Sequence, residues 1–131
     1  MAFIKSRENY SNSTNYYYKV SDVTDDESAA RWINNARHLP GIVVSYISLT
    51  DLMNRSDEGS ESTDFLNDVS FEELKNNICE RNIDDVSIVG TYFDKPIVVG
   101  VDLRKYYVII WTGNENAADV HALEAALKLT D

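Results

Sequence analysis

The chain has 131 residues, 44% of them hydrophobic and 26% charged, which suits one globular core and leaves too little sequence for two ordinary domains. Asp and Glu number 22 against 12 Lys and Arg, a formal net charge of −10, so the mean surface field repels phosphate backbones and anionic lipid. The longest apolar runs, Pro96 to Val101 and Val108 to Trp111, fall far short of the roughly 20 residues of a spanning helix. Free nucleic acid and membrane are therefore not expected as partners.

The polar start Met1-Ala2-Phe3-Ile4-Lys5-Ser6-Arg7 carries no signal-peptide apolar region, and the single cysteine, Cys79, suits a reducing cytosol, so a cytoplasmic protein is expected. Phe3 to Tyr10, the turn-rich Ser11-Asn12-Ser13-Thr14 and the β-prone Asn15 to Val20 predict a hairpin. Thr24-Asp25-Asp26-Glu27 has capping-box spacing, with Thr24 as the cap and Glu27 reaching back. Ala29, Trp32, Ile33 and Ala36 then recur at helical spacing until Pro40-Gly41 stops the helix after Leu39. Ile42 to Leu49 is β-branched and nearly continuous in apolarity, the pattern of a central strand.

Composition changes at Thr50. Asp51, Asp57, Glu58, Glu61, Asp64 and Asp68 stand against Arg55 among Ser and Gly, and the segment at about 51–69 is predicted to be a mobile acidic loop. Ser70-Phe71-Glu72-Glu73 repeats the capping arrangement and opens a second helix with Phe71, Leu74 and Ile78 at helical spacing. Val86 to Phe93, a turn at Asp94-Lys95-Pro96, Ile97 to Leu103, a turn at Arg104-Lys105, and Tyr106 to Thr112 form a three-stranded meander. Its connections are too short for anything but antiparallel neighbours. Asn116 to Asp119 caps a C-terminal helix that buries Val120, Leu123, Ala126 and Leu127. The expected order is β-β-α-β-loop-α-β-β-β-α: a single α+β domain, its mostly antiparallel sheet packed by about three helices, with Ile109, Trp111, Val99 and Leu123 in the core. Gly90 and Gly100 lie inside strands, where a bulge or the close approach of a helix is the main reading and a ligand touching backbone the lesser one.

Catalytic chemistry finds little support. Cys79 follows apolar Ile78 and precedes Glu80, whose charge raises a thiol pKa, so a semi-buried inert thiol is expected. His38 in the last turn of the first helix complements the helix dipole, whereas His121 lies in a first turn. No G-x-S-x-G elbow, phosphate-cradling glycine motif or calcium loop is present, and one Cys with two His, not closely spaced, gives a zinc centre little support. The pairs Asp25-Asp26 and Asp84-Asp85 sit where turns and helix starts favour aspartate, and adjacent side chains diverge. The chain is thus expected to be no enzyme and to need no cofactor or metal.

Surface chemistry stands out instead. Candidate partner-binding residues are Asp25, Asp26, Asp57, Glu58, Glu61 and Asp64, which steer a basic protein, and Tyr16, Tyr17 and Tyr18, which supply contact area at low entropic cost. Strand alternation puts Tyr16 and Tyr18 on one face and Tyr17 on the other, so the three cannot all be core. In size, acidity, single-domain organisation and lack of catalytic motif the chain resembles bacterial immunity proteins that neutralise co-encoded toxins, and phage-encoded inhibitors of nucleases. The resemblance is one of class; it implies a basic, nucleic-acid-acting partner and assigns no residue a role. Two other expectations stand beside it: a small enzyme or ligand-binding domain with a pocket between sheet and helices, walled by Trp32 and Trp111, and a subunit of a larger assembly pairing through an exposed strand edge.

Overall fold

The computed structural model describes residues 5–9, 14–56, 59–81, 83–112 and 119–129. In chain order the elements are β1 (Lys5–Asn9), β2 (Thr14–Lys19), α1 (Asp26–Ala36), β3 (Ile42–Ser56), β4 (Gly59–Phe65), α2 (Phe71–Glu80), β5 (Asp85–Tyr92), β6 (Lys95–Asp102), β7 (Tyr107–Thr112) and α3 (Val120–Ala126). The architecture is α+β, as expected. All seven strands among the described residues join one sheet in the order β1-β2-β7-β6-β5-β3-β4, and every neighbouring pair is antiparallel.

The local rules that form these elements are visible at their ends. The first helix is capped one residue later than expected: Ser28 donates its backbone N–H to Asp25 Oδ1 at 2.8 Å, and Asp25 donates its own to Ser28 Oγ at 3.0 Å. The reciprocal logic is that of a capping box, and the short serine hydroxyl does the work assigned to Glu27. Ser70 caps α2 as expected, accepting from the Glu73 amide at 3.1 Å. The β5–β6 hairpin turns on Phe93 and Asp94, both at positive φ (47° and 68°), the backbone of a type I′ turn whose twist matches that of the strands. That moves the start of β6 back to Lys95. Pro96 is tolerated because β7 reaches only as far as Val98. Gly41, at φ 88°, ends the turn after α1 and receives the Phe93 amide on its carbonyl at 2.9 Å, with the Phe93 ring lying where a Cβ would project.

The segment expected to be a loop is instead the end of β3 and the whole of β4. Pairing runs from Ile47↔Phe65 to Asp51↔Glu61 and, beyond a register shift, to Ser56↔Gly59. The error has a physical origin: β4 is an edge strand, and edge strands carry polar and charged residues that discourage pairing with other chains, the composition that also marks a loop.

Cross-strand registry builds the core. Tyr18, Val108, Val101, Val86 and Leu49 form one row, and Tyr16, Ile110, Val99, Ile88, Ile47 and Phe65 the next. Ile33 of α1, Leu74 and Ile78 of α2 and Leu123 of α3 are fully buried in the same cluster, so the helices cover this face of the sheet. After α3 the chain turns through Lys128 at φ 57°, returns the Leu129 amide to the Glu124 carbonyl at 2.8 Å, and buries Leu129, a Schellman-type close.

Val99 and Leu123 are core residues, but Ile109 and Trp111 are not. Val108 and Ile110 point into the helix layer, so alternation sends Ile109 and Trp111 to the opposite face, where both remain partly exposed. Gly90 sits opposite the bulge that shifts register between Val44 and Tyr46, and a Cβ on it would fall 2.1 Å from the Val43 carbonyl oxygen. The structural reading of that glycine holds.

Candidate functional site

Two of the residues singled out for partner binding share a surface. Tyr17 is half-buried on the face opposite the helices, accepting from Asn15 Nδ2 at 3.4 Å, and Asp64 is exposed on that face where β4 pairs with Ser48. The others lie elsewhere. Asp25 is the exposed cap of α1, its carboxyl held below the usual range by the Ser28 backbone amide and then by the Ser28 hydroxyl. Asp26, next to it, accepts from Tyr106 Oη at 2.9 Å. Burial and that bond push the Tyr106 phenol up to about 12. Asp57 and Glu58 lie outside the described residues, and Glu61 is placed by its backbone alone.

Tyr16 packs partly buried against the core. Tyr18 is a correction: it is fully buried and donates its hydroxyl to Glu124 Oε2 at 2.7 Å, so it offers a partner nothing. Burial and the neighbouring carboxylate push its phenol pKa upward. Asp25 and Asp26 belong to the helix layer and Asp64 to the opposite face, so the acidic residues and tyrosines do not form one continuous surface.

The groups with catalytic potential are scattered. Cys79 is exposed on α2 rather than semi-buried, and partial desolvation together with Asp26 and Glu27 raises its thiol pKa, which keeps it protonated and unreactive. His38 lies just beyond α1, and exposed His121 has Nδ1 3.3 Å from Glu124 Oε1. Among the described residues no three His, Cys, Asp or Glu are grouped as a metal would need, and no helix is long and apolar enough to cross a membrane.

What sequence reasoning missed is the face of the sheet opposite the helices, which no described element covers. In register across four strands, Trp111, Val98, Val89 and Tyr46 form an apolar row with Asn15 at its end. All are partly or well exposed, Tyr46 by 37%. The adjacent row is Tyr17, Ile109, Gly100, Ser87 and Ser48, leading to Asp64. The third row is Lys19, Tyr107, Asp102, Asp85 and Thr50. Its cations are engaged at one end: Lys19 Nζ donates to the Lys105 carbonyl at 3.0 Å and sits 5.3 Å from the Tyr107 ring centre, while Arg104 Nε lies 3.6 Å from Asp102. The available signal was strand alternation itself, which sets Ile109 and Trp111 on the face opposite Val108 and Ile110.

Asp85, half-buried in the third row, has its carboxyl pushed upward by desolvation and then by the charges of Asp102 and Asp84. A raised carboxyl pKa means that the native state holds the proton more tightly than the unfolded chain, so stability falls as pH rises from the ordinary carboxylate range through the native value. Asp85→Asn should accordingly unfold at higher denaturant than the parent at neutral pH, and the advantage should vanish once pH drops below the unfolded carboxylate pKa of about 3.9. A parent more stable than the variant at neutral pH would show that the carboxylate is structural.

Two concavities among the described residues bear on a site. One, of about 390 Å³, lies between α1 and the end of α3, against Trp32, Leu39, Leu127 and Lys128. The other, of about 240 Å³, crosses the uncovered face over Gly100. No family model, curated protein or solved structure matches the chain.

Proposed function

We propose that the chain is a non-enzymatic protein-binding module of inhibitor or immunity type, whose uncovered sheet face occupies the surface of a basic, nucleic-acid-acting protein. The observation that supports this most is the apolar row Trp111–Val98–Val89–Tyr46, flanked on the same face by Asp85, Asp102 and exposed Asp64. A half-exposed Trp and Tyr on rigid strands are the residues that dominate binding energy in protein interfaces, and carboxylates at the margin set the sign of the partner. Charge also argues against a second copy as the occupant, because each carries a formal −10. The acidic β3–β4 hairpin then serves to steer the encounter, with the sheet face as the anchor.

The test uses the immobilised protein and two variants of equal charge change, Val98→Arg in the row and Leu66→Arg at a 69% exposed site between β4 and α2. A partner of basic isoelectric point should be retained by the parent and by Leu66→Arg, released as salt rises, and lost from Val98→Arg. Its activity on nucleic acid should fall in stoichiometric proportion to added chain. Equal retention on all three, insensitive to salt, would refute the reading.

A further inference from the structure

Resting on that reading, we infer that the groove over Gly100 is the partner's anchor pocket and that it takes an arginine side chain, with Asp85 as the counter-charge.

The groove lies over Gly100, the one position of its row without a side chain. Gly100 stands between Ser87 and Ile109 in the middle row of the uncovered face, and each of those neighbours has a side chain while it has none. A Cβ placed there would come within 2.7 Å of Ser87 Oγ and 2.8 Å of the Val86 carbonyl oxygen, so only glycine fits, and Gly100 with the Ser87 hydroxyl beside it lines the groove. Its described lining includes Asp85, Ser87, Val98, Ile109, Trp111 and Asn15.

Registry orders these groups. Asp85 on β5, Gly100 on β6 and Trp111 on β7 lie on one diagonal of the face, with Asn15 beside Trp111 on β2. Two diagonal steps of roughly 7 to 8 Å each separate the carboxylate from the indole, the reach of a long side chain together with the backbone that carries it. One end is acidic and half-buried; the middle is walled by Val98 and Ile109; the other end holds an aromatic ring and an acceptor. That acceptor is Asn15 Oδ1, which is buried and has no hydrogen-bond partner, the amide nitrogen being spent on Tyr17.

The occupant follows from these features. At about 240 Å³ the groove is below the 300–1,000 Å³ usual for small-molecule sites and suits a side chain. A carboxylate at the far end selects a cation. Arginine fits better than lysine because its planar guanidinium is weakly hydrated, offers several donors to Asp85 and Ser87 at once, and tolerates the half-buried setting, while its stem packs on Ile109 and toward Trp111. Asp102 competes poorly for it, since the amides of Arg104 and Lys105 and the Arg104 side chain already engage that carboxylate, whereas Asp85 takes a side-chain hydrogen bond from Thr50 and has no described ion pair within 4 Å.

Titrating isotope-labelled full chain with N-acetylarginine amide, against its neutral citrulline counterpart, tests this by NMR. Saturable shifts are expected at Ser87, Gly100, Ile109 and the Trp111 indole with the arginine compound, and at least tenfold weaker ones with citrulline. Loss of a charged hydrogen bond in Asp85→Asn should weaken arginine binding by about tenfold, and Asp64→Asn should leave it unchanged. Ser87→Leu, which fills the groove without touching the carboxylate, should abolish the shifts. Shifts confined to exposed carboxylates, or an affinity that Asp85→Asn and Ser87→Leu leave alone, would overturn the inference. The two claims fail separately: an arginine-blind groove leaves the loss of the partner in Val98→Arg intact, whereas a partner indifferent to Val98→Arg refutes the docking face whatever the arginine compound does.

Discussion

Shortening Ile110 to alanine should lower the free energy of unfolding by about 2 to 5 kcal/mol, whereas the same change at Ile109, one residue away, should cost well under half as much. Ile110 is fully buried between Tyr16 and Val99 in the row that meets the helices, and its removal leaves a cavity that close-packed neighbours cannot fill. Ile109 faces the uncovered side, so its atoms are already partly in water and no second layer is opened by their loss. Denaturant unfolding of the two variants at neutral pH measures the contrast directly. Equal losses would mean that a layer covers the face described here as open.

Tyr18→Phe is the other change with a large expected cost. The substitution keeps the ring and its packing but deletes the hydroxyl that serves Glu124 at 2.7 Å, in a site where both residues are almost wholly shielded from water. A buried carboxylate that loses a donor pays its desolvation without that compensation, so a loss of about 1 to 3 kcal/mol is expected. Because the bond ties β2 to α3 across the core, the same variant should show faster amide exchange in residues 120–126 than elsewhere in the fold. Wild-type stability in Tyr18→Phe would make the contact incidental.

The parts of the fold legible from sequence are those where a single period or cap settles the matter. The helices at Asp26–Ala36 and Phe71–Glu80 follow from the spacing of Ala29, Ile33 and Ala36 and of Leu74 and Ile78, and the meander from connections too short to cross over. Two things were not legible. Edge strand β4, with its run of Ser, Thr, Asp and Glu, has no apolar alternation to separate it from a loop, because an edge strand with a single neighbour, β3, carries the polar composition that also marks a loop. The face of Trp111 was hidden for another reason: Val108 to Trp111 is apolar without a break, and a continuous run says that a strand is central without saying which side the helices cover. The same gap explains the candidate site. Tyr17 and Asp64 could be named singly, but the row that joins Trp111 to Tyr46 exists only through registry across four strands.

The central claim, that the helix-free face binds a basic protein, is tested most directly by the Kd of the captured partner for the parent, Leu66→Arg and Val98→Arg, measured beside their unfolding midpoints. A charge driven into the middle of a binding row should raise Kd by at least about 30-fold, the scale of a hot-spot loss of 2 kcal/mol, while Leu66→Arg stays near the parent and all three unfold at similar denaturant. An unchanged Kd for Val98→Arg in a stably folded variant would contradict the account and return the face to a merely solvated surface.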